Sequence, residues 1–233
     1  MPLRELSPPR EPAARPALTL VLLHHAGGSS RGFGPLLPHL PRAWRVLGVD
    51  LPGRFLDRDG ARCRTAEEAV AHVHREVRDE LAAPYAVFGH SMGALLAYEL
   101  VRRLEDEGTG PDWLGVSGSL APHLRPARRD RVLRHARLPT AGLPDALAHR
   151  AARAVREDLR LIDGYTPAPG PPLRAPLAVF GGTDDPLAPA ALLDDWTAYA
   201  RPPASYHLWP GGHFFLFDHA ESVCARMAEV PAL

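Results

Sequence analysis

Short apolar runs alternate along this chain with segments of helical periodicity, and no other feature restricts the fold as much. "ALTLVLL" from Ala17, "WRVLGVD" from Trp44, "YAVFG" from Tyr85, "WLGVSGSL" from Trp113, "PLAVFGG" from Pro176 and "ASYHLWP" from Ala204 read as strands. Between the second and third, "TAEEAVAHVHREVRDELAA" opens on Thr65 as an N-cap with two Glu in the first turn. Its Ala69, Val70, Val73, Val77 and Leu81 keep helical spacing. "GALLAYELVRRLEDEG" is a second helix, closed by Gly108. "DALAHRAARAVREDLRLIDGY" and "LLDDWTAYA" read as further helices, and the tail from Asp218 as the last. Strands that alternate with helices specify a mostly parallel sheet with helices on both faces.

One stretch breaks the alternation. From about 122 to 172 the chain is rich in Arg, Ala and Pro and helical in pieces. It is too long for an ordinary connection and reads as a helical insertion, either a lid over a site or a small helical subdomain. Its apolar Val132, Leu133, Leu147, Val155 and Leu159 are suited to covering a channel. Residues 1–16, Pro-rich and charged, read as a flexible tail, with a single domain over 17–233.

The third strand runs directly into Gly89-His90-Ser91-Met92-Gly93, a G-x-S-x-G pentapeptide followed by a helix. A serine between strand and helix stands on a sharp, strained turn, and glycines on either side let the two elements pack closely. A serine hydroxyl needs a base, and on this architecture an acid and then a histidine follow in chain order. "VFGGTDDPLAP" ends the fifth strand with Asp184 and Asp185, and "WPGGHFFLFD" ends the last with His213. All three positions fall at the C-terminal edge of the sheet, where open α/β sheets bind ligands. A Gly-x-x-Asp count reaches Asp185 from Gly182 and Asp184 from Gly181; Pro186 stiffens Asp185, which is the preferred acid. Acyl transfer also needs two oxyanion donors. The backbone N–H of Met92 is one, and that of Ala26, in the "HHAGGSS" loop after the first strand, is the other.

The remaining chemistry-bearing residues point elsewhere. His72 and His74 are two apart on a helix and make a poor metal pair, and His24 and His25 alternate across a strand end. Cys63 and Cys224 have neither metal nor redox spacing and read as free thiols of a reducing compartment. No metal site is expected. With 27 acidic and 27 basic residues, all Arg, the net charge is zero, which argues against a nucleic-acid partner. No run is long and apolar enough for a signal peptide or a membrane span, so a cytoplasmic chain is expected, as a monomer.

Taken in order, "LLHHAGGSS", "LPGR", "YAVFGHSMGALLAYEL", "VSGSLAPH", "EDLRLIDGY", "PLAVFGGTDDP" and "WPGGHFFL" resemble the type II thioesterases of polyketide and nonribosomal peptide synthesis, from about Leu18 to Leu216. The resemblance implies an α/β-hydrolase fold and removal of acyl groups from the phosphopantetheine arm of acyl or peptidyl carrier domains. The enzyme itself then needs no cofactor, since the substrate carries the phosphopantetheine. The resemblance also carries the family's triad onto Ser91, Asp185 and His213, and its oxyanion donors onto Ala26 and Met92. His24 departs from the Pro usual in the family, and Phe55 from a Gly. The residues alone leave a thioester and an oxygen ester equally open. A serine carboxylesterase or an acyltransferase shares this fold and triad. A catalytically silent binding protein would most simply have lost Ser91 or His213.

Overall fold

A computed structural model describes residues 2–8, 15–53, 62–124, 145–201 and 204–230. Seven strands form one sheet: β1 (Leu3–Glu5), β2 (Leu18–Leu23), β3 (Trp44–Val49), β4 (Tyr85–His90), β5 (Trp113–Ser117), β6 (Leu177–Gly182) and β7 (Ala204–Trp209). Their order is β1-β3-β2-β4-β5-β6-β7, and every pair except β1 with β3 is parallel. The helices are α1 (Ala66–Val77), α2 (Met92–Asp106), α3 (Asp145–Asp163), α4 (Phe215–Asp218) and α5 (Ala220–Glu229).

Both faces of the sheet are covered, as the continuous apolar strands require. Side chains alternate along each strand, so β2 sends Val21 and Leu23 into one core layer and Leu20 and Leu22 into the other. The first layer takes up α1, α2 and the Val155, Leu159 and Leu161 face of α3. The second is filled by Phe33, Phe88, Phe180, Phe215 and Met227. Each such fully buried side chain contributes about 1.5–3 kcal/mol.

Thr65 caps α1: its hydroxyl accepts from Glu68 N–H at 3.2 Å, and the Glu68 carboxylate accepts from Arg64 N–H at 2.8 Å. The helix ends at Val77, and Leu81 reaches the core from beyond a short 3₁₀ turn. His72 donates to the Asp50 carbonyl and His74 pairs with Glu107, so both are structural. Among the described residues no group of His, Cys, Asp and Glu gathers as metal ligands would. No described helix is long and apolar enough to cross a membrane.

Three expectations change. Leu3–Glu5 is an edge strand rather than part of a flexible tail: it pairs antiparallel with β3, and Arg4 holds Asp50 at 3.1 Å. "LLDDWTAYA" lies in a 3₁₀ stretch, Ala190–Tyr199, and the C-terminal helix is broken at His219 into α4 and α5. Of the expected lid, residues 125–144 with Val132 and Leu133 lie outside the described residues, as does the Leu147 side chain. Val155 and Leu159, on α3, are packed in the core.

Candidate active site

β4 is buried along its whole length, and α2 starts at once on its far side. The chain can reverse there only through an unusual backbone. Ser91 sits at φ 59°, ψ −113°, the one non-glycine positive φ among the described residues. Such a conformation costs of order 1–3 kcal/mol and persists where its surroundings over-determine it. Two observations show how. Ser91 N–H donates to the Ser117 carbonyl at 2.7 Å. A Cβ on Gly89 would lie 2.0 Å from the Gly93 carbonyl oxygen, and one on Gly93 would lie 2.0 Å from that of Leu23. The two glycines are therefore steric requirements. The second contact also packs the start of α2 against the end of β2, the strand that leads into Ala26.

His213 is brought to Ser91 by the turn after β7. Gly182, at the end of β6, leaves room for that turn: a Cβ there would stand 2.5 Å from the carbonyl oxygens of Gly211 and Gly212. His213 Nε2 lies 2.9 Å from Ser91 Oγ, and His213 Nδ1 lies 2.8 Å from Asp185 Oδ2. A carboxylate only accepts, so Nδ1 carries the proton and Nε2 accepts from the serine hydroxyl. The Asp185 side chain has no exposed surface and that of His213 is 12% exposed, so the pair interacts with little solvent screening.

The two neighbouring aspartates divide their work. Asp185 Oδ1 accepts from the N–H groups of Leu187 and Ala188, which leaves Oδ2 for His213. Asp184 is an exposed turn carboxylate that accepts from Thr183 Oγ1 and from Gly211 N–H. It ties the turn after β6 to the one that carries His213, and it makes no contact with the imidazole among its described hydrogen bonds.

Behind His213 stands His90, which the sequence reading passed over as the variable residue of the pentapeptide. It is fully buried, bonds Ser117 Oγ through Nδ1 at 3.0 Å, and sets its ring 5.0 Å from that of His213. Burial holds the His90 imidazole well below its ordinary range, with the charge of His213 acting in the same direction, so it stays neutral. His25 closes the other side against Phe214 and His90, and burial brings it down to about 4. Both rings are therefore neutral near pH 7.

Of the two expected oxyanion donors, Met92 is the first residue of α2, where helix N–H groups lack intrahelical partners. Ala26 is half-buried in the loop after β2. That loop turns tightly: Gly27 has φ +74°, and Gly28 N–H donates to the His25 carbonyl at 2.9 Å. His24 is buried there and its Nδ1 donates to the same carbonyl at 2.8 Å. Phe55, the other departure, lies outside the described residues. A cavity of about 280 Å³ lies between the "LPG" loop and α3, lined by Gly53, Arg62, Cys63, Asp158 and Leu161; Ser91 and His213 do not line it.

Comparison with known proteins places this geometry in context. The family Thioesterase domain matches residues 18–229. The thioesterase PikA5 of Streptomyces venezuelae is 33% identical over 94% of this chain and 82% of its own length. A protein of Streptomyces griseus described as a probable cadicidin biosynthesis thioesterase is 32% identical over 94% of this chain, which spans only 63% of that relative. The solved type II thioesterase BorB, from the borrelidin biosynthetic cluster, superimposes with a TM-score of 0.81 at 31% identity, covering 99% of this chain and 96% of its own.

Proposed function

The chain belongs to the thioesterase domain family and, within it, to the type II thioesterases, and from that premise we propose that Ser91, His213 and Asp185 hydrolyse acyl thioesters presented on the phosphopantetheine arm of a carrier domain. The observation that carries the reading is the unbroken hydrogen-bonded chain from Ser91 Oγ through His213 to Asp185, on an elbow whose backbone admits little else.

Ser91 Oγ attacks the thioester carbonyl carbon while His213 Nε2 takes the hydroxyl proton. The carbonyl oxygen becomes an oxyanion, and the N–H groups of Ala26 and Met92 hold it; each such donor is worth about 3–4 kcal/mol in the transition state. The carbon–sulfur bond breaks, and His213 returns its proton to the departing thiolate. A water then adds to the acyl carbon as His213 takes its proton, and the adduct collapses to free acid as His213 returns that proton to the departing Ser91 Oγ. Asp185 orients the imidazole and balances its transient positive charge throughout. A thiolate leaves readily, so the first half needs little acid assistance, and deacylation by water is the harder step.

The names of two of these relatives tie them to biosynthesis, which supports acyl or peptidyl carrier domains as partners. All three triad residues come from one chain, in line with a working monomer, and Cys63 and Cys224, not joined in a disulfide, suit the cytoplasm. The test compares kcat/KM for one acyl group on a phosphopantetheinylated carrier domain and as its p-nitrophenyl ester. A preference for the carrier thioester with free acid as product is expected. Preference for the oxygen ester, or acyl transfer to an added alcohol or amine over water, would favour the esterase or transferase reading.

A further inference from the structure

We propose that Asp158, on α3 of the insertion, is a positioning residue for the oxyanion loop; the inference rests on the hydrolase reading given above. Its carboxylate is buried, and Oδ2 accepts from the Gly27 backbone N–H at 2.6 Å across 131 residues of sequence.

The peptide units on either side of Ala26 explain why this bond matters. The His25–Ala26 unit carries the oxyanion donor, Ala26 N–H. Its carbonyl accepts from both Gly28 N–H and His24 Nδ1. A trans peptide sets N–H opposite to C=O, so these two donors fix the line along which Ala26 N–H points. The Ala26–Gly27 unit follows. Its carbonyl accepts from His25 Nδ1 at 2.9 Å, and its N–H donates to Asp158.

Three of these four bonds are local, between residues no more than three apart. They set the loop's internal shape, and the His25 ring packs it on His90 and Phe214. Asp158 supplies a long-range hydrogen bond from the insertion, and Val155, one helical turn earlier, packs so closely that a Cβ on Gly27 would lie 2.4 Å from its Cγ2. A glycine pair has wide conformational freedom, and a donor displaced by about 1 Å loses much of its effect on an oxyanion. The insertion thereby sets the oxyanion hole: a shift of α3 would move Gly27, and Ala26 with it.

The experiment uses the full chain with Asp158→Leu, which keeps the branched shape and removes the acceptor, and Asp158→Asn, which keeps an acceptor oxygen. Kinetics on a hexanoyl N-acetylcysteamine thioester are read beside inhibition by an alkylboronic acid, whose tetrahedral Ser91 adduct uses the same donors. For Asp158→Leu, kcat should fall about 10²–10³-fold with KM within about threefold, and boronate affinity should fall in parallel. Asp158→Asn should recover to within about tenfold of wild type. Should Asp158→Leu not fold, by thermal melting, Asp158→Ser carries the same expectation, since its shorter side chain cannot reach Gly27. A folded variant with wild-type kcat and boronate affinity, or a loss confined to KM or to melting temperature, would overturn the inference while leaving the hydrolase reading intact. A wild-type chain inactive on the thioester would instead sink that reading, and this one with it.

Discussion

Replacing Asp185 by Asn tests the site at its least forgiving point. The substitution changes almost no volume and one charge, so its effect depends on which end of the amide meets the histidine. The surroundings decide that. Oδ1 of Asp185 accepts from two backbone donors, Leu187 N–H and Ala188 N–H. An amide nitrogen cannot accept, so in Asp185→Asn the amide oxygen would stay there and the NH₂ would face His213 Nδ1. Nδ1 must then become the acceptor, which moves the ring proton to Nε2, the nitrogen that lies 2.9 Å from Ser91 Oγ. An imidazole protonated at Nε2 cannot take the serine proton. The wrong tautomer, with the lost counter-charge, lowers kcat by about 10⁴ in a triad of this kind, or about 5 kcal/mol of transition-state stabilisation. The assay is steady-state hydrolysis of an acyl N-acetylcysteamine thioester at neutral pH, followed by chromatography of the released acid. Asp184→Asn is the control and should stay within a few-fold, because its carboxylate bonds only turn atoms in the described structure. A mild effect at Asp185 with a severe one at Asp184 would refute the reasoning.

Gly93→Ala should lower stability by about 3 kcal/mol and the melting temperature by about 10 °C, since its Cβ would meet the Leu23 carbonyl and the clash falls on backbone. Stability should depend on pH through His25 and His90. Burial depresses both, so the unfolded chain binds protons that the native chain refuses; their contribution is full above about pH 6.5 and declines below it, that of His25 being lost as pH falls toward 4. Urea midpoints should fall across that window, and His25→Gln should flatten the slope; a midpoint independent of pH would contradict this. Iodoacetamide should label native Cys63 and spare Cys224, which is fully buried and whose thiol burial pushes up to about 12; equal labelling would show that the Cys224 packing is wrong.

The fold was legible because five strands are nearly all apolar and alternate with helices of regular periodicity. Leu3–Glu5 was hidden: three residues carry no period, and the Pro-rich run beside them reads as a tail, yet β3 offers them an open edge. Ser91 and His213 could be read from their turns and their order in the chain. Asp184 and Asp185 could be ranked only by count and by Pro186, since both follow two glycines. What separates them is the direction of their bonds, to Leu187 and Ala188 for one and to Gly211 for the other, which no spacing rule encodes. His90 and Asp158 lay inside motifs already singled out, but their roles depend on contacts with Ser117, His213 and Gly27, which are distant in sequence.

The central claim, that Ser91 carries the acyl group between carrier thiol and water, is open to one direct measurement. The chain is mixed with an acyl carrier domain whose phosphopantetheine bears a short acyl group, quenched in acid within the first turnover, digested and read by mass spectrometry. The account expects the acyl mass on the peptide containing Ser91, free acid accumulating with time, and neither with Ser91→Ala. Acyl transfer to another residue, or free acid released at the wild-type rate by Ser91→Ala, would contradict it.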